Sequence, residues 1–140
     1  MSIQAKADTF DWPPEIVTEF NDAWGNGQVG QTLVSETDKV RVWHLTLQPG
    51  ERIGFHHHVL NYFWTALTPG TSRSHMDDGR IVETVYETGM TSHFEFAKGD
   101  FMLHDLANVG DTPLSFVTVE HLDSPNAPHA LSENVPRFST

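Results

Sequence analysis

From residue 31 onward, apolar and polar residues alternate in short runs that turn signals separate. A period of two places successive side chains on opposite faces of a β-strand. The alternation is clearest at residues 91–97 and 114–121. The pattern as a whole predicts short strands at residues 31–36, 39–48, 55–58, 62–68, 71–75, 80–86, 91–97, 101–104 and 114–121.

Glycine-containing turn sequences lie between these strands, and Asp77-Asp78-Gly79 is a strong hairpin signal. Many short strands with turns at spacings of about 8–12 residues are typical of an antiparallel sandwich or barrel. No helical period of useful length follows residue 30. The fold class that we predict is therefore all-β, with one barrel domain over residues 31–123.

The two ends of the chain differ from this pattern. Residues 1–30 form an N-terminal arm, in which Pro13-Pro14 can begin a short helix that runs through Phe20. Trp12, Phe20 and Trp24 make the arm too apolar for a free tail, so we expect it to pack on the barrel or on a partner subunit. Residues 124–140 contain three prolines and are expected to be irregular.

Composition excludes several classes of function. The formal net charge is -11, without the basic patch that binding to nucleic acid requires, and an anionic membrane surface is disfavoured for the same reason. The chain has no cysteine, which excludes disulfides and thiolate metal sites. No apolar run is long enough to cross a bilayer, and residues 1–10 lack the apolar core of a signal peptide. We expect a cytoplasmic protein.

Candidate chemistry is concentrated at three consecutive histidines, His56, His57 and His58. On a strand, His56 and His58 point to one face and His57 to the other, so that the first two can bind one metal ion. A second histidine-bearing stretch, residues 99–113, places His104 at the end of a short strand before a turn at Asn108.

Together these two stretches resemble the two motifs of the cupin family of small β-barrels. The first motif spaces glycine, His-x-His and a second glycine as Gly50, His56, His58 and Gly70 do. The second motif is matched by His104, Asn108, Gly110, Asp111 and Pro113. The resemblance covers roughly residues 38–121 and implies a jelly-roll barrel. Residues 58–64 and 102–114 are also similar to small cupins of β-alanine or amino-acid catabolism.

The resemblance implies a metal site of His56, His58 and His104 for one divalent transition metal ion, Fe, Zn, Ni, Mn or Cu. The chain departs from the cupin pattern where a glutamate ligand is expected, since Tyr62 and Phe63 stand there. Tyr62 is a candidate for a fourth ligand or a catalytic group. His93, Glu95, Glu120 and His121 lie on strands that line such a barrel. From these we take His93 and Glu95, with Tyr62, as candidate catalytic residues.

Three functions remain open at this stage. The first is a metal-dependent enzyme of dioxygenase, lyase or isomerase type that acts on a small anionic or carbonyl-containing molecule. The second is a non-catalytic cupin that binds a small ligand. The third is a metal-free cupin in which histidines act as acid and base. Because cupins of this size commonly pair through strands and N-terminal arms, we also expect a homodimer.

Overall fold

The structure is a computed structural model that describes Ala7 and residues 9–138. Its described elements are one helix, α1 (Pro14–Asp22), and nine strands. The strands are β1 (Thr32–Glu36), β2 (Val40–Leu47), β3 (Arg52–His58), β4 (Tyr62–Ala66), β5 (Gly70–His75), β6 (Ile81–Tyr86), β7 (Thr91–Phe94), β8 (Met102–Asn108) and β9 (Leu114–His121). The predicted all-β barrel is confirmed.

The strands form two antiparallel sheets that face each other. The five-stranded sheet has the order β1-β2-β9-β4-β7, and the four-stranded sheet has the order β3-β8-β5-β6. Along β9, buried and half-buried residues alternate, and Leu114, Phe116, Thr118 and Glu120 point inward. At one end of the barrel both sheets contribute to an apolar core of Leu45, Leu47, Ala66, Tyr86, Leu114 and Phe116.

Three strand boundaries differ from the predicted ones by three residues or more. The first is the start of β3, which lies at Arg52 instead of residue 55. The strand predicted to end at residue 104 continues to Asn108, because Ala107 still pairs with Arg52 on β3. The Asn108 side chain then fixes the following turn: its Nδ2 donates to the carbonyls of Leu47 and Thr112, and its Oδ1 accepts from the Gly110 amide. The strand predicted at residues 91–97 ends at Phe94, where the pairing with Tyr62 on β4 ends.

The arm packs on the barrel of its own chain. Trp12 and Phe20 are buried and contact Phe55 on the outer face of β3, at ring-centroid distances of 5.8 and 5.3 Å. Phe20 in particular has no exposed surface. These three rings thus form a compact cluster with Leu103 of β8 and with Trp24, which lies beyond α1.

A charged network joins the arm to the same outer face. The Arg52 guanidinium donates to both carboxylate oxygens of Glu19 on α1, at 2.7 and 3.0 Å, and to Asp105 at 2.7 Å. Asp105 is buried and also accepts from the backbone amide of His75. Glu19 further accepts from the amide of Phe55. The arm therefore covers the strands that carry the candidate histidines.

The chain after β9 has no strand of its own among residues 122–138. Val135 packs into a small core with Val29, Leu33 and Trp43, and Arg137 forms an isolated bridge with Leu33. Within the described part of the chain, no helix has the length and apolar character needed to cross a membrane.

Candidate metal centre

The three histidines that the sequence singled out meet inside the barrel. His56 and His58 lie on β3, and His104 on β8 is the register partner of His56. One ring nitrogen of each lies within 4.8 Å of those of the other two, and the Nε2 atoms of His58 and His104 are 3.2 Å apart. Two nitrogens bound to one ion at about 2.1 Å lie roughly 3.0–3.4 Å apart, so this spacing fits a shared metal.

A β-bulge in β3 sets this geometry. The register passes from Ile53 opposite Leu106 to His56 opposite His104, so β3 contains one residue more than β8 over this stretch. Such an extra residue changes the direction in which the following side chains point. Phe55 consequently packs outward under the arm, while His56 is buried inside the barrel.

Burial keeps all three imidazoles neutral. It lowers the pKa of His56, His58 and His104, and the neighbouring histidines lower the pKa of His58 and His104 further. The carbonyl of Gly54 and the carboxylate of Asp105 oppose the effect of burial at His56. A neutral imidazole has the free lone pair that a metal requires.

The contacts behind the rings differ from one histidine to the next. His56 Nδ1 lies 2.8 Å from the carbonyl oxygen of Gly54, which leaves its Nε2 as the ligating atom. His58 Nδ1 is buried without a hydrogen-bond partner among the described residues. The His58 ring is instead stacked on Tyr62, with 4.1 Å between centroids and 12° between planes. Phe94 is stacked on the opposite side of Tyr62, at 4.8 Å.

Tyr62 therefore lies against the cluster through the face of its ring. Its hydroxyl donates to Met102 Sδ at 3.6 Å. Burial, with a smaller contribution from the charge of Glu120, raises the pKa of this phenol. In the site Tyr62 is a neutral aromatic surface behind His58, and its role as a fourth ligand stays a prediction.

The expectation that His93 and Glu95 line the barrel is wrong. Both are exposed on the outside, because the pairing of β7 with β4 turns Phe94 and Phe96 inward instead. An alternating pattern fixes which residues share a face of a strand but not which face is buried. The apolar rings were the signal that favoured the orientation observed.

Glu120 and His121 are adjacent on β9 and therefore point to opposite faces of their sheet. Glu120 faces inward, is 3% exposed and accepts from Trp43 Nε1 at 2.8 Å. Burial raises its pKa to about 7, against the opposing effects of Trp43 and Arg41. It is not part of the three-histidine cluster. His121 is half-buried on the outer face, with its ring 6.1 Å from that of Phe63.

A pair of histidines outside the barrel had no signal in the sequence. His57 points outward as its position predicts, and its Nδ1 accepts from the Gly25 amide. The Nε2 of His129 lies 3.0 Å from the same atom, and the two rings are stacked. Burial, and then the charge of His129, lowers the pKa of His57 to about 4. A contact across 72 residues cannot be inferred from spacing.

The cluster opens onto a cavity of about 210 Å³ between the two sheets. β6 and β7 are edge strands of the two sheets, and their inward residues lie on the cavity. No residue described as lining it is Asp, Glu, Lys or Arg. Its wall consists of Val29, Leu45, His56, His58, Tyr62, Trp64, Ser74, Met76, Val82, Thr84, Tyr86, Phe94, Met102, His104, Leu106, Phe116 and Thr118.

No family model matches the sequence, and no curated protein matches it. Solved structures do. A conserved protein with a double-stranded β-helix domain from Klebsiella pneumoniae subsp. pneumoniae MGH 78578 is 28% identical, with a TM-score of 0.51 over 72% of this chain and 76% of that chain. A cupin domain from Bordetella pertussis Tohama I is 23% identical, with a TM-score of 0.54 over 62% and 85%.

A cupin family protein with a double-stranded β-helix fold from Methanocaldococcus jannaschii is 20% identical, with a TM-score of 0.50 over 68% of this chain and 75% of that chain. These similarities show that the chain has the cupin fold, a small barrel of two facing antiparallel sheets. The resemblance that the two histidine motifs suggested is confirmed at the level of the fold.

Proposed function

We propose that this cupin-fold protein is a metal-dependent enzyme that acts on a small organic molecule through an anionic or carbonyl oxygen. The observation that carries the proposal is the convergence of three neutral imidazoles, two buried and one half-buried, on one point inside the cavity between the two sheets. Buried polar side chains without partners are costly, and among the described residues the hydrogen-bond contact of His58 Nε2 is with His104 Nε2. A shared ion would remove that cost.

The donor set fits a divalent transition metal held by His56, His58 and His104. Three nitrogen donors leave coordination positions for a ligand, and a metal there would supply Lewis acidity or redox chemistry. No carboxylate belongs to the cluster, so the positive charge of the ion would not be offset by the protein. An oxygen ligand that carries negative charge is therefore favoured.

The side chains that line the cavity also indicate the type of reaction. With the histidines engaged, the titratable side chains left on the cavity wall are Tyr62 and Tyr86, and burial raises the pKa of both. A phenol that holds its proton is a poor general base. An isomerase or lyase that abstracts a proton needs such a base within reach. We therefore favour a dioxygenase type of reaction on a substrate that enters already deprotonated.

The test is the metal content of variants purified without chelator. We expect about one transition metal ion per wild-type chain and a loss of most of it in His56→Ala and in His104→Ala. His93→Ala is the matched control, because its side chain is exposed outside the barrel. Elemental analysis gives the content, and circular dichroism checks the fold. Equal metal in all four proteins would show that the ion is not bound by these histidines.

The reaction type has a separate test. Iron-loaded protein is incubated with β-diketones and ring-bearing hydroxy acids, under air and under argon, and the loss of substrate is followed by ultraviolet absorption. We expect turnover that requires air and consumes dioxygen. Equal turnover under argon would instead favour an isomerase or lyase.

A further inference from the structure

We propose that the cavity selects a molecule with an apolar ring and a single negatively charged oxygen-bearing group, and that it rejects phosphorylated or highly polar compounds. This inference rests on the proposed function and names the substrate class for the same site. It follows from the part of the cavity wall that lies away from the three histidines.

Three aromatic rings close the cavity at that end. Trp64, Tyr86 and Phe116 meet edge to face, with centroid distances of 5.2 Å, 5.7 Å and 4.9 Å for the three pairs. Leu47, Ala66 and Leu114 belong to the same core without lining the cavity. Edge-to-face contacts hold rings in defined orientations, so this end of the cavity is a rigid apolar surface. A flat apolar group fits it without reorganisation of the protein.

The cavity is also too small for an extended ligand. Its volume is about 210 Å³. A six-membered ring with one small oxygen-bearing substituent fills such a space. Drug-sized pockets are larger, at about 300–1,000 Å³.

The lack of cationic side chains on the described cavity wall disfavours phosphorylated compounds. Binding a phosphate requires cationic side chains or a cluster of backbone amides, since an unpaired anion in an apolar site loses its hydration. None of the described residues on the wall is Lys or Arg. Arg73, the cation on β5, points outward and pairs with Glu83 at 2.9 Å. The charge that the cavity can offer is that of the metal, at one end.

Hydroxyls give the site its remaining polarity, and those of Tyr62, Thr84 and Tyr86 already bond to other side chains. Ser74 and Thr118 line the cavity from opposite sheets and are nearly buried, at 7% and 8% exposure. Across the described residues, neither hydroxyl takes part in a side-chain hydrogen bond that competes with a ligand. Each can therefore donate to a ring substituent or to the bound oxygen group. The ligand is expected to carry at most one or two such polar groups.

The test compares three hydroxamates that share one metal-binding head group. Acetohydroxamate has a methyl tail, benzohydroxamate a phenyl ring, and phosphonoacetohydroxamate a charged phosphonate. Zinc-loaded protein is titrated with each in a calorimeter, with zinc retention checked afterwards. We expect benzohydroxamate to bind at least about tenfold more tightly than acetohydroxamate, because burial of a ring contributes that much. Phosphonoacetohydroxamate should bind most weakly of the three.

Two variants test where the ring of the ligand binds. In Trp64→Leu the preference for benzohydroxamate over acetohydroxamate should fall at least about threefold, while acetohydroxamate affinity stays unchanged. Val85→Ala is the matched control, because Val85 lies on β6 of the facing sheet and is 71% exposed. If Trp64→Leu does not fold, the comparison of the three hydroxamates on the wild-type protein still decides the matter.

The outcomes separate the two proposals. If zinc binds but benzohydroxamate is no tighter than acetohydroxamate, or if the phosphonate binds as tightly as the ring, the substrate class is wrong and the metal site stands. If the wild-type chain retains neither zinc nor iron, the proposed function fails, and the substrate class fails with it.

Discussion

At the scale of single residues, Tyr62 shows how this site departs from the cupin pattern of a glutamate after the paired histidines. Its ring, rather than its hydroxyl, faces the cluster: it is stacked on His58 at 4.1 Å, while the hydroxyl is engaged by Met102. Among the described residues, none makes a hydrogen bond to His58 Nδ1 that would fix its orientation. Ordinarily a hydrogen bond to its other ring nitrogen orients a metal-binding histidine. Here the stacked ring is the contact that can do so.

If the stacked ring orients His58, two substitutions at Tyr62 should have different outcomes. Tyr62→Phe keeps the ring, so zinc affinity should stay within about threefold of that of the wild type. Tyr62→Leu removes the stack and should weaken zinc binding by about tenfold, the lower limit for loss of a contact that orients a ligand. Competition with a chelating dye measures both. A large loss in Tyr62→Phe would show instead that the phenol oxygen is a ligand.

At the scale of elements, the bulge in β3 and the arm over it act together on the site. Gly54 in the bulge offers its carbonyl to His56, and a Cβ there would lie 3.0 Å from Glu19 Oε2, so a side chain at this position would crowd Glu19. Glu19 also accepts from the Phe55 amide. The helix α1 thus holds the outer side of the strand whose inner side carries His56 and His58.

The arm contact can be tested with two glutamates of the same helix. Glu19→Ala should lower the free energy of unfolding by about 1–2 kcal/mol, because the buried Phe55 amide loses its acceptor, while the exposed part of the Arg52 pair contributes little. Glu15→Ala, exposed in the first turn of α1, should change it by less than about 0.5 kcal/mol. Urea unfolding of metal-free protein measures both. Equal effects would mean that the Glu19 contacts do not stabilise the barrel.

The strands and the three histidines could be predicted from the sequence because both depend on local patterns. Alternation and turn residues located all nine described strands, and the spacing of two motifs selected His56, His58 and His104. The bulge at Gly54 and the orientation of β7 depend on pairing with other strands. Local pattern therefore left the face of His93 undetermined, and it gave no indication of the stacked pair of His57 and His129.

At the scale of the whole molecule, the arm that suggested a homodimer is already buried on its own chain. The homodimer stays a prediction, and the arm no longer supports it. Instead, β6 is an edge strand whose outer residues Ile81 and Val85 are 50% and 71% exposed. An edge strand with apolar side chains is available for pairing with another strand.

The pH dependence of the stability of the whole barrel should follow from one carboxyl group, that of Glu120. Burial raises its pKa from the usual 4.5 to about 7. Between these values the folded chain holds a proton that the unfolded chain has lost, so this group lowers stability as pH rises from 4.5 to about 7, and not beyond. Glu120→Gln removes the effect and can still accept from Trp43.

We therefore expect Glu120→Gln to be more stable than the wild type by less than about 1 kcal/mol at about pH 5, and by about 2–4 kcal/mol at about pH 8. Urea unfolding of both proteins without metal measures the difference, in which the titration of the histidines cancels. Glu95→Gln is the control, because its side chain is exposed on the outer face and should give no such trend. A stability difference for Glu120→Gln that is constant from pH 5 to pH 8 would mean that the buried carboxyl is already charged in the folded barrel at the lower pH.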